Sequence, residues 1–387
     1  MKKIAILILA FALAATTAAA QNAKKVLAKA QLVNEYFMKT WPDPTKPTFV
    51  KKERSSNLWT RAVYYEGLMA LYAIDKQQKY IDYTDTWGNF HKWDVRDGIK
   101  TRNADNQCCG QVYLERFDMT GDNSMIKNLI ANFDAQIAED NADFAKQRET
   151  RKFWWWIDAI QMAMPALTHL SQITGNTKYK HEAKLLYTWI RNKEDGGLFN
   201  TEEGLWWRDA DFNPPYKESD GANCYWSRGN GWVYAALCRS MNHIEEGCGF
   251  RKMLMNDYMT MTKALVKLQR KDGFWNVSLT SPATYPGPET SGTALFLYGI
   301  AWGINNGVLP KAEYKPICDK AWKALSKVVH KDGFLGYVQG TGKEPKDGQP
   351  VTFDSKPDFE DYGLGCFLLG ATEYYKLIIN PQPITRV

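Results

Sequence analysis

Between residues 24 and 378 the chain reads as twelve amphipathic segments joined by two alternating kinds of connection, and this alternation restricts the fold more than any other feature. Apolar residues recur at helical spacing over 24–40, 57–74, 79–92, 105–119, 123–139, 155–173, 178–193, 228–244, 253–269, 290–306, 313–329 and 361–378. Strand-like alternation is confined to short stretches such as Leu335 to Val338. One connection is a tight turn, Thr120-Gly121-Asp122-Asn123 and Thr174-Gly175-Asn176-Thr177, with a weaker copy from Asp75 to Tyr80. Its Gly can end one helix in the left-handed conformation, and its Asp or Asn can cap the next. The other is Asp-Gly before a bulky apolar residue: Asp195-Gly196-Gly197-Leu198, Asp272-Gly273-Phe274 and Asp332-Gly333-Phe334. Each follows a helix with Lys or Arg in its last turn. Short turns alternating with longer loops predict six helical hairpins closed into a double ring, an all-α (α/α)6 barrel. An open α-solenoid would show a more constant period.

The N-terminus carries a different pattern. Lys2 and Lys3 precede an apolar run from Ile4 to Ala14, and Ala18-Ala19-Ala20 before Gln21 has the small residues of a cleavage site. Residues 1–20 are therefore expected to be a signal peptide, and the protein to be periplasmic or secreted. Residues 21–387 contain no Pro, Gly or Ser linker and are expected to form one domain. Without Lys2 and Lys3 the net charge falls from +6 to about +4. That balance, with no dense Lys/Arg run, favours neither nucleic acid nor a stable membrane association. Seven cysteines, with Cys108 and Cys109 adjacent, are too few for a disulfide framework and are expected to be mostly buried thiols.

The chain holds 15 Trp, 20 Tyr and 17 Phe, and many of the tryptophans stand beside charged residues, where a core does not need them. In an exported protein that placement leans toward flat sugar faces. Three segments concentrate it. In Phe153-Trp154-Trp155-Trp156-Ile157-Asp158, a carboxyl opens a helix beside apolar rings. Poor hydration there would hold Asp158 protonated; the structural alternative is an Asp satisfying free helix N–H groups. In Asn103-Ala104-Asp105-Asn106-Gln107, Asp105 is either a second carboxyl or an ordinary N-cap. In Trp226-Ser227-Arg228-Gly229-Asn230-Gly231-Trp232, Arg228 is expected to meet an anion between tryptophan walls, or else to cap a neighbouring helix. Glu289, before Thr290-Ser291-Gly292, suits a helix cap. Five scattered His form no ligand pair, so neither a metal nor another cofactor is expected.

Taken together these segments resemble the unsaturated rhamnogalacturonyl hydrolases, glycoside hydrolase family 105, and the related unsaturated glucuronyl hydrolases of family 88. The resemblance runs from about Trp59 to Tyr374. It is carried by Trp155-Trp156-Ile157-Asp158, by Trp226 to Trp232, and by Glu289-Thr290-Ser291-Gly292-Thr293-Ala294 continuing through Tyr298 to Gly303. It implies an (α/α)6 barrel that removes a 4,5-unsaturated uronic acid from the non-reducing end of lyase-generated oligosaccharides, by hydrating the vinyl ether bond. Asp158 matches the family's acid/base. Asp105 matches a second aspartate, whose negative charge would keep Asp158 protonated. Trp226 and Arg228 match residues around the uronate, with Trp232 behind them; Trp155 and Trp207 are further candidates for sugar contact.

One position departs from the pattern. In Leu205-Trp206-Trp207-Arg208-Asp209, Arg208 stands where family members often carry His. Arg cannot give up its proton, so it is expected to bind the substrate carboxylate or an added sulfate. Rival readings are an inverting glycosidase pairing Asp158 with Glu289, a sugar epimerase, and a glycan-binding protein without turnover.

Overall fold

The computed structural model describes residues 2–50, 52–145, 154–193 and 196–380, with side chains from Ala19 onward. Phe153 and Asp195 lie outside the described residues. Thirteen α-helices are found among those described: α1 Lys2–Thr40, α2 Trp59–Ile74, α3 Gln78–Phe90, α4 Ala104–Gln107, α5 Gly110–Thr120, α6 Lys127–Ala145, α7 Asp158–Thr174, α8 Thr177–Asn192, α9 Ser227–Met241, α10 Gly249–Leu268, α11 Thr290–Asn305, α12 Lys311–Leu325 and α13 Asp361–Ile379. Four short strands form two hairpins, β1 Thr48–Val50 with β2 Lys52–Arg54, and β3 Phe199–Asn200 with β4 Leu205–Trp206.

The helices sort into two rings. Helix α2 packs on α5, α5 on α7, α7 on α9, α9 on α11, α11 on α13, and α13 returns to α2. This cyclic order is the inner ring of the predicted (α/α)6 arrangement. Against it lie α3, α8, α10 and α12, each on the inner helix before it, while α6 packs along α8. Helix α1 packs on α13, so the sixth hairpin joins the two ends of the chain. Its buried face runs through Ala23, Val26, Ala30, Val33 and Phe37. One apolar cluster extends from Val26 to Leu377.

Local chemistry explains the joints. Gly121 and Gly175 end α5 and α7 at φ 70° and 67°, where a side chain would be strained. Asp122 then accepts from Ser124 N, and Asn176 from Lys178 N, each capping the next helical turn. Helices α2 and α13 cross with their backbones in close approach. A Cβ on Gly365 would lie 2.1 Å from the Val63 carbonyl oxygen, so only glycine lets these backbones meet.

Three expectations need revision. The segment 105–119 is two helices, broken at Cys108 and Cys109, both of which retain helical angles. Helix α7 begins at Asp158, which leaves Trp154 to Ile157 outside it as its leading segment. Leu335 to Val338 is not a strand; Leu335 makes an isolated bridge to Val329, and Tyr337 at φ 56° leaves the extended conformation and bonds Thr352 O instead. All seven cysteines are free thiols, six buried and Cys248 partly so.

Candidate active site

The N-terminal ends of α2, α9, α11 and α13 meet, since Arg61 pairs with Asp361 and Gln339 bonds Arg228, Glu289 and Tyr362. The long outer-to-inner loops also arrive there. Asp158 opens α7, Arg228 lies in the first turn of α9, and Glu289 caps α11. Asp105 lies in α4, which packs against α7.

The loop between α8 and α9 is held by three ties, one within itself and two to the segment leading into α7 and to α9. Trp207 N donates to Leu198 O at 3.0 Å, and Ile157 N donates to Arg208 O at 3.0 Å. Asn230 supplies the third: its Oδ1 accepts from Trp206 N at 2.8 Å and its Nδ2 donates to Trp206 O at 3.0 Å. The glycines beside Asn230 fit close neighbours on either side, since a Cβ at Gly229 or Gly231 would stand 2.9 Å from Trp226 or Leu295. Arg208 is thereby delivered to Asp158.

Asp158 is buried, and its Oδ2 accepts from Arg208 Nε at 3.2 Å. Burial pushes its carboxyl up, while Arg208, then Arg228, pull it back. Asp105 is half-buried and does not cap its helix; Asn103 does, accepting from Asp105 N at 2.9 Å. Burial of the Asp105 carboxyl and then the charge of Asp158 push it up to about 7, against the pull of Arg208 and Arg96. The two carboxyls are therefore close enough to share charge. Arg208, bonded to Asp158, pulls on both carboxyls.

Arg208 also donates to Asp209 and lies 5.6 Å from the Trp155 ring centre. Trp155 is 36% exposed and offers an open ring face beside the acid. Trp207 is partly buried and tilts toward Tyr225, with a ring-centre distance of 5.8 Å. Arg228 is fully buried, stacked near Trp226 and Tyr362, and its Nη1 and Nη2 donate to the carbonyls of Gln339 and Gly340. Its Nε has no hydrogen-bond partner among the described residues. Its charge acts on Asp158 from a buried position. Trp226 is buried and donates to Gln339 Oε1 at 2.8 Å. Trp232 has no exposed surface and packs edge-on to Trp59, so both rings back the site rather than lining an open face.

Sequence reasoning missed Gln339, which accepts from Trp226 and Arg228 and donates to the carbonyls of Glu344 and Asp347. It lies in an irregular loop where no periodicity points to it. Asp209 was visible only as the neighbour of Arg208. Glu289 is the cap its sequence suggested: it accepts from Ser291 N, Ser291 Oγ, Gly292 N and Gln339 N.

A cavity of about 800 Å³ opens at the opposite end of the inner ring, lined by Glu66, Glu115, Arg239, Tyr298, Trp302 and Glu373. None of the residues singled out above reaches it. The two carboxyls, the held arginine and the open indole lie at the helix N-termini instead.

The family model for Glycosyl Hydrolase Family 88 matches residues 29–378. An unsaturated 3S-rhamnoglycuronyl hydrolase of Formosa agariphila is 31% identical over 331 residues, covering 82% of this chain and 84% of its own. A family 88 glycosyl hydrolase from Bacteroides vulgatus superposes with a TM-score of 0.78 at 29% identity, over 92% of this chain and 99% of that one. A family 105 glycoside hydrolase from C. acetobutylicum gives a TM-score of 0.68 at 20% identity, over 89% and 98%; at that identity the likeness shows the fold alone.

Proposed function

The chain belongs to Glycosyl Hydrolase Family 88, and from that premise we propose that it removes a 4,5-unsaturated uronic acid from the non-reducing end of oligosaccharides left by polysaccharide lyases. The observation that carries this reading is the group of Asp158, Asp105 and Arg208 beside the exposed face of Trp155. An acid that protonates carbon must keep its proton near neutral pH, and both carboxyls are raised by burial.

In this mechanism Asp158 donates its proton to C4 of the unsaturated ring. Positive charge develops at C5 and the ring oxygen. Water adds its oxygen at C5 and returns a proton to Asp158, and the resulting hemiketal opens to release the neighbouring sugar. No covalent sugar–enzyme bond forms, so a second carboxylate nucleophile is not required. Asp105 shares charge with Asp158, Arg208 meets the anionic substrate, and Trp155 and Trp207 offer ring faces to the sugars. Trp226, Arg228 and Trp232 support the wall. The Formosa agariphila relative makes an unsaturated rhamnoglycuronyl end the first substrate to test.

The inverting-glycosidase alternative needs Glu289 free to activate water, and its carboxylate already accepts from four donors. We also read the protein as exported to the periplasm or medium. The Lys2-Lys3 pair, the apolar run from Ile4 to Ala14 and the Ala18-Ala20 run support this. N-terminal sequencing of the mature protein tests that point. The activity is tested by following loss of the conjugated alkene's ultraviolet absorbance across lyase-generated fragments, sulfated and unsulfated, with saturated counterparts as controls. Release of the terminal uronate from the saturated set alone, read by chromatography of the products, would overturn the proposal.

A further inference from the structure

Arg208 is one cation shared by two carboxylates. Its Nη1 is held by Asp209, which is itself buried and fixed through Asp211 N at 2.9 Å. Its Nε reaches Asp158 at 3.2 Å, and its guanidinium rests near the half-open Trp155. The first tether is locked into the loop; the second lies at the cleft. Other charges near Asp158 are less able to move. Arg228 is committed to two backbone carbonyls. Arg96 donates to Asn106 at 3.1 Å and acts on Asp105. Asp105 and Asp209 are the remaining carboxylates of the group.

This arrangement presents a chemical difficulty. A carboxylate bonded to Arg is stabilised in its charged form, which is the wrong state for an acid that must donate a proton. The substrate class proposed above brings its own carboxylate, which needs a cation within reach. One movement answers both requirements.

We propose that Arg208 is a positioning residue that exchanges partners on substrate binding: tethered by Asp209, it leaves Asp158 for the uronate carboxylate, and Asp158 takes up one proton from solvent. The charges balance, because the incoming carboxylate replaces the one that is protonated. During turnover Asp158 passes its proton to C4 and regains one from the attacking water. The proton taken up on binding leaves when the product departs and Arg208 returns. Binding thus arms the acid, and a ligand without a carboxylate at that position does not.

The inference rests on the proposed function, and pH–rate profiles separate the two. The alkaline limb of kcat/KM reports the free enzyme, and that of kcat reports the complex. Exchange places the kcat limb at higher pH, by about one unit, a tenfold change in proton affinity. In Arg208→Gln the two limbs merge at the higher pH and KM rises; Arg208→Lys restores part of the separation. A purely structural Arg208 would lower activity without moving the limbs. Turnover by the wild-type enzyme with coincident limbs overturns the exchange and leaves the function standing. No turnover of any unsaturated uronide overturns both. A carboxyl ¹³C NMR titration of the free protein, with Asp158 assigned through Asp158→Asn, needs no turnover. Asp158 should titrate at higher pH in Arg208→Gln, and an unchanged titration overturns the pairing.

Discussion

Asn230 holds the backbone of Trp206 from both sides, its amide oxygen accepting at 2.8 Å and its amide nitrogen donating at 3.0 Å. Through this clasp the first turn of α9 sets the position of Trp207 and Arg208, two residues that no regular helix supports. Asn230→Ala leaves both polar groups of the buried Trp206 unsatisfied, at a cost of about 2–4 kcal/mol. Activity should fall on the order of 10²-fold, because Arg208 loses its register with Asp158. Urea midpoints and kcat/KM measured on the same preparation check both effects. Unchanged kinetics would mean that other ties suffice to place Arg208.

The ring of helices was legible because its determinants are local and periodic. Apolar spacing located the helices, and Gly121 and Gly175 marked two of the turns between inner and outer rings. The break between α4 and α5 was not legible, since Cys108 and Cys109 carry no breaker chemistry and stay near helical angles. In the site, Asp158 was visible through its tryptophan company. Its bond to Arg208 joins residues 50 positions apart and depends on a loop clasped by Asn230. Gln339 was invisible for a similar reason: its partners Trp226 and Arg228 lie more than a hundred residues away. Arg228 shows the opposite difficulty. Its sequence setting suggested an anion ligand, yet its two terminal nitrogens donate to backbone carbonyls.

Asp158→Asn removes the proposed proton donor while keeping its size. General acid catalysis of this kind contributes about 10²- to 10⁴-fold, so kcat should fall by at least the lower figure. Circular dichroism should show the wild-type fold. Alkene absorbance that still disappears at the wild-type rate would remove Asp158 from the mechanism.

Asp105 gives the pair its pH response. Its carboxyl is pushed up to about 7, first by burial and then by the charge of Asp158. The pair titrates together, and the working state carries a proton, so activity should decline as pH rises through about 7. In Asp105→Asn the like charge is gone and Asp158 loses its proton more readily. The alkaline limb should then move to lower pH, which a pH–kcat profile measures directly. A limb that stays in place would mean that Asp105 does not feel Asp158.

Glu289 distinguishes a cap from a catalytic base. Its carboxylate accepts from two backbone N–H groups at the start of α11, from Ser291 Oγ, and from Gln339 N. Glu289→Gln turns one acceptor into a donor and leaves a buried N–H unmatched, costing about 1–3 kcal/mol. Thermal or urea unfolding should register the loss, whereas kcat should stay within the same order of magnitude. A collapse of kcat in a folded variant would revive the two-carboxylate mechanism.

Glu66 makes stability, as distinct from activity, depend on pH. It lies on α2 with no exposed surface, accepting from Gln161 Nε2 at 2.9 Å and standing 3.7 Å from Arg239. Burial pushes its carboxyl from 4.5 up to about 7, although Arg239 pulls it back. A carboxyl raised by folding binds its proton more tightly in the native state than in the unfolded chain. Its contribution is therefore complete below about pH 4.5 and is lost as pH rises through about 7, a span of about 3 kcal/mol. Asp105 is raised in the same direction and steepens the decline. Glu66→Gln keeps a hydrogen-bonding side chain of the same length but removes the titration, while Arg239 retains Glu115 at 3.0 Å. Urea midpoints at about pH 5 and about pH 7.5, which span most of the window, should differ clearly in the wild type and less in Glu66→Gln. An equal difference in both proteins would show that Glu66 keeps its charge across that range, with Arg239 outweighing burial.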